Sequence, residues 1–132
     1  MRKLFPLLTI AAAMVCSVGC NEIDEKKIDA GAKLRVKITC KQFTDKATSA
    51  WKAADMGVPT PSEVELSKAY ELVVMAMAHQ AVSEGLNVDD LSREDLFQLA
   101  HRALYRVRPQ LDKLFNGWVP SDKKAPESWY SL

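Results

Sequence analysis

Histidine, glycine and cysteine are all scarce in this sequence, and each scarcity closes off a class of chemistry. Among 132 residues there are two histidines, five glycines and three cysteines. The glycines are isolated, so no glycine-rich loop can wrap backbone amides around a phosphate. His79 and His101 lie on different segments, whereas a metal site needs three or four converging ligands and a supporting shell. No HExxH or CxxCH motif occurs, and no serine or cysteine has an identifiable base. We therefore assign no catalytic residue, no metal and no cofactor; an enzyme would have to use His79, His101, Asp89 and Asp90. An excess of one charge is also missing, with 18 basic against 17 acidic side chains. Binding a polyanion needs a concentrated basic surface, and the short series Lys33, Arg35, Lys37 does not supply one, so no nucleic-acid partner is expected. Beyond residue 15 there is no apolar run long enough to cross a bilayer.

The one sustained apolar run stands at the start. Arg2 and Lys3 precede Leu4 to Val15, a stretch too short for a bilayer but suited to a secretory signal. It ends in Val18-Gly19-Cys20, and small residues just before a cysteine resemble the lipobox of bacterial lipoproteins. The resemblance covers residues 1–20. It implies that residues 1–19 are a signal peptide and that Cys20 is acylated as the mature N-terminus, which would tether the domain to a membrane of a bacterial cell envelope. Asn21 follows Cys20, not the aspartate that favours inner-membrane retention in enteric bacteria, so the outer membrane is favoured. On this reading Cys40 is the single thiol left in an oxidising compartment. The alternative is a soluble exported protein in which Cys20 and Cys40 form a disulfide.

What remains after the signal is enough for one small domain with one core. Residues 20–33 are polar and read as a tether. Residues 34–40, LRVKITC, alternate apolar and polar side chains as a half-buried strand does, but no second strand follows to pair with it. They are expected to form an extended N-terminal arm, or else to extend the next helix. Thr39 and Gln42 form a capping box opening a helix over roughly 40–55, with Phe43, Ala47, Ala50, Trp51 and Ala54 on its apolar face. Ser62 and Glu65 cap the next. That central helix, Glu65 to Glu84, carries apolar residues on two sides, with Leu66, Ala69, Tyr70, Val73, Met77 and Ala81 on one and Met75, Ala78 and Val82 on the other, so it must be covered twice. Gly85 ends it. Ser92 and Asp95 open a third helix with Leu96, Ala100, Ala103, Val107, Leu111 and Leu114 inward, running through Pro109 with a kink.

The fold class is thus all-α, a small three-helix bundle over residues 34–117 with an irregular tail over 118–132. The tail offers Trp129 and Tyr130, either folding back on the core or anchoring a partner. On the third helix Arg102, Tyr105 and Arg106 make a second candidate partner-binding patch. Thr39-Cys40-Lys41-Gln42-Phe43 resembles the opening of small periplasmic acid-stress chaperones, a match of five residues without the second cysteine of that family. The functional expectation is a non-catalytic, membrane-anchored envelope protein that binds a protein partner in an envelope complex.

Overall fold

The computed structural model describes residues 25–130. The expected signal peptide and the expected acylation site, Cys20, lie outside the described residues. The described chain is an all-α bundle of four helices. It is helical over residues 25–37, here α1, and continues as α2 (Cys40–Ala53), α3 (Glu63–Ser83) and α4 (Arg93–Asn116), with 3-10 turns at Val88–Asp90 and Glu127–Tyr130. No strand occurs among the described residues.

The N-terminal segment corrects two sequence expectations. Residues 25–33 are not a flexible tether, and residues 34–37 belong to a helix and not to an extended arm. A strand would place Leu34 and Val36 on one face, yet Leu34 is fully buried while Val36 is 79 % exposed. Helical spacing accounts for this difference, because Ala30 and Leu34 stack one turn apart and both are buried. A lone strand would also leave its ladder hydrogen bonds unmade, which a helix makes internally. The basic series that resembles a strand's polar face instead fastens α1 on two sides. Arg35 holds Glu71 of α3 through two hydrogen bonds of 3.2 and 2.7 Å. Opposite, Lys33 pairs with Asp89 at 3.0 Å, and Lys37 donates to the Leu91 carbonyl at 2.7 Å.

Each following helix starts where a side chain satisfies its first amides. Thr39, Ser62 and Ser92 accept from the third residue on, and Gln42, Glu65 and Asp95 reach back to the cap amide, giving three complete capping boxes. The end of α3 is a Schellman motif: Gly85, at φ 69°, donates to Val82, and Leu86 donates to Ala81. A side chain in that left-handed conformation would meet its own backbone. Pro109 lies inside α4, which nevertheless runs on to Asn116.

The two-sided character of α3 gives α1 a flank to cover. Leu66, Val73, Met77 and Ala81 are buried along one side of α3, while Ala78 on the other flank is buried beneath α1, where Gly31 lets the helices approach. Met75 is left 62 % exposed, so only part of the second stripe is covered. The Tyr70 hydroxyl donates to the Ile38 carbonyl, tying the α1–α2 junction to α3.

The tail folds back into the slot between the C-terminal halves of α2 and α4. Trp129 is buried, stacks on Trp51 of α2 with centroids 5.4 Å apart and meets Phe115 of α4 edge-on at 4.9 Å. Its indole N–H donates to the Ala47 carbonyl at 3.0 Å. Burying a side chain of this size is worth several kcal/mol, on the order of the 3–5 kcal/mol lost when such a residue is truncated. Trp129 is therefore part of the core and is not presented to a partner.

Candidate functional site

The slot that Trp129 fills at one end is open at the other. There the first turns of α2 and α4 border a half-open groove of about 670 Å³. Its floor is apolar: Ile38 from the α1–α2 junction, Phe43 from α2, Leu91 from the connection before α4, and Leu96 and Phe97 from the start of α4. Phe43 belongs to the core, held by Tyr70 at 5.7 Å between ring centroids, whereas Phe97 is 46 % exposed. Helical geometry produces the contrast, since Leu96 turns inward and its neighbour, about a hundred degrees around, is left at the rim.

The rim is basic. Lys37, Lys46 and Arg93 line the groove, Gln42 is its uncharged polar member, and no carboxylate lines it. Lys37 is spent on the carbonyls of Asp89 and Leu91. Lys46 and Arg93 make no hydrogen bond or ion pair with any described residue. The nearby acids are turned elsewhere: Asp45 pairs with Lys41 at 2.8 Å, Asp89 with Lys33, and Asp95 caps α4 through Ser92. Two unopposed cations thus stand over an apolar trough. That arrangement can hold an apolar body whose flanks carry negative charge.

The residues singled out from sequence do not form one surface. On α4, Tyr105 is 85 % exposed with Arg106 exposed beside it. Arg102 lies one turn before but is engaged, gripping Glu84 at 2.8 and 2.7 Å. That guanidinium, with Gln80 behind it, holds the Glu84 carboxyl below its ordinary range. Tyr130 is half-buried, donating to Asp112 with the Arg108 guanidinium 3.5 Å above its ring. Burial first, and then the Asp112 carboxylate, push its phenol up to about 12. His79 and His101 are both exposed, and the described residues include no cluster of three side chains able to ligate a metal. Cys40 is a half-buried free thiol with its sulfur 3.5 Å from the Ser67 hydroxyl.

Sequence reasoning missed the groove. Its cations come from three separate helices, at positions 37, 46 and 93, and only the packing of α2 and α4 on α3 brings them to one rim. The one local signal was Phe97, an aromatic placed just off the apolar stripe of α4.

Fold and site together define a small four-helix domain with a cationic, apolar-floored groove. The chain matches no protein-family model, no curated protein and no solved structure.

Proposed function

We propose that this chain is a lipid-anchored, non-catalytic binding protein of a bacterial cell envelope, held to the membrane through Cys20 and engaging a protein partner at the groove between α2 and α4. The anchor reading is supported by the signal-like start and the small residues before Cys20. The binding reading is carried by one observation: an apolar floor left open under Lys46 and Arg93, neither of which has an acidic partner among the described residues. Leaving such a floor uncovered forgoes hydrophobic burial, which a docked partner would restore. Residue 25, five positions after Cys20, is already helical, so an acylated Cys20 would keep the bundle close to the membrane surface.

Intact mass and membrane fractionation of the expressed protein, beside Cys20→Ser, test the anchor. A diacyl or triacyl mass on Cys20, with membrane association lost in the variant, is the expected result. An unacylated soluble product with Cys20 and Cys40 joined in a disulfide would overturn it.

A further inference from the structure

We infer that the groove between α2 and α4 receives a segment of a partner protein in which an aromatic or large aliphatic side chain is flanked by carboxylates. This deepens the proposed binding role and rests on it for the existence of a partner. Three observations choose this occupant. Charge complementarity is the first: Lys46 and Arg93 stand unopposed on opposite walls, and every lining side chain that can ionise is a cation. A segment bearing acids on both sides of its apolar residue would meet one cation on each wall, and close charge pairs of this kind fix register and reject wrong partners.

The second observation is the chain's own use of the same slot. At its other end an aromatic ring lies between the two helices and gives its N–H to a main-chain carbonyl of α2. That is a worked example of how the space between α2 and α4 accepts a polypeptide. The third is shape. The cavity is an open trough along two helices, not an enclosed tunnel, and its volume lies within the roughly 300–1,000 Å³ of sites that enclose a compact apolar body. A free acyl chain lying in a half-open trough would keep one side in water, whereas a protein segment covers the trough with its own bulk. Phe97, half exposed at the rim, is placed to pack against the incoming side chain.

The test uses the full chain as expressed, in neutral-lipid nanodiscs if acylated and in buffer if not, so that loss of the anchor and loss of groove binding are read separately. The probes are a short peptide alternating glutamate with phenylalanine and leucine, its counterpart with lysine in place of glutamate, and decanoate, each titrated by calorimetry. The acidic peptide should bind and the basic one should not. Reversing both rim charges, Lys46→Glu with Arg93→Glu, should weaken the acidic peptide at least about tenfold. Phe97→Ser should weaken it several-fold, and both variants should keep the wild-type thermal midpoint because these side chains are exposed or half exposed. No binding of the acidic peptide, equal binding of the two peptides, or indifference to both variants would overturn the proposal. Decanoate binding that depends on Lys46 and Arg93 without peptide binding would also overturn it, and assign the groove to a lipid amphiphile.

Discussion

The indole N–H of Trp129 reaches the carbonyl of Ala47 across 82 residues of sequence. That bond, with the stack on Trp51, makes the C-terminal segment part of the bundle's packing. Trp129→Ala should cost about 3–5 kcal/mol, measured by urea unfolding followed by circular dichroism. Deleting residues 126–132 should cost at least as much. Wild-type stability in either variant would show that the tail is not packed in solution.

Leu34 and Val36 separate a helix from a strand. Leu34→Ala should lose about 2–5 kcal/mol through the cavity it leaves, while Val36→Asp should stay within about 0.5 kcal/mol of wild type. An extended segment over residues 34–40 would make the two substitutions comparably damaging. Chemical denaturation of the two variants side by side decides between them.

Gly85 closes α3 at a positive φ of 69°, with nothing within 4 Å of where a Cβ would stand. The cost of Gly85→Ala therefore comes from its own backbone conformation and not from a clash with neighbouring residues, about 1 kcal/mol. Asparagine, which tolerates the same region, should recover part of it. Thermal midpoints give the comparison, with the Gly85→Asn variant expected to melt above the Gly85→Ala variant and below wild type.

Acid should loosen the bundle at identifiable carboxyls. Arg35 holds Glu71, and Arg102 with Gln80 holds Glu84, below the ordinary glutamate value of 4.5. A lowered folded value means that the unfolded chain binds protons first as pH falls. The stabilisation is complete above 4.5 and is lost as pH drops below it through the lowered values. Unfolding midpoints between neutral pH and strongly acidic buffer should show that decline, and Glu71→Gln with Glu84→Gln should reduce it, leaving the part carried by Asp95 and Asp112, which are also lowered.

Alkali should act on the tail instead. Tyr130 is raised from 10.0 to about 12, so the folded state retains its phenolic proton longer than the unfolded chain does. Its contribution is fully present below 10.0 and disappears as pH rises toward about 12. Tyrosinate absorbance in Tyr130→Phe, subtracted from wild type, should isolate this late titration.

Local chemistry made the helices legible, and tertiary packing decided what the sequence left open. Thr39 with Gln42, Ser62 with Glu65 and Ser92 with Asp95 announced the starts of α2, α3 and α4, because a cap is a contact between residues three apart. The same local view misreads α1. Leu34, Val36, Ile38 and Cys40 alternate as a strand would, and only the contact of α1 with α3 shows that Val36 faces outward. Met75 falls in a stripe expected to be covered for the same reason, since periodicity gives a face but not the width of the helix that covers it. Trp129 and Tyr130 carry both readings equally until packing buries one and half-buries the other. The basic rim of the groove could not be read locally, because Lys37, Lys46 and Arg93 share no spacing.

Trp129 also acts as a spacer. Lodged between Trp51 and Phe115, it separates the far ends of α2 and α4 while both helices rest on α3. If the groove receives a segment as proposed, walls already held apart by packed side chains would lose little conformational freedom on association. The distal aromatic is thus a wedge, filling at one end of the bundle the kind of space that stands open at the other.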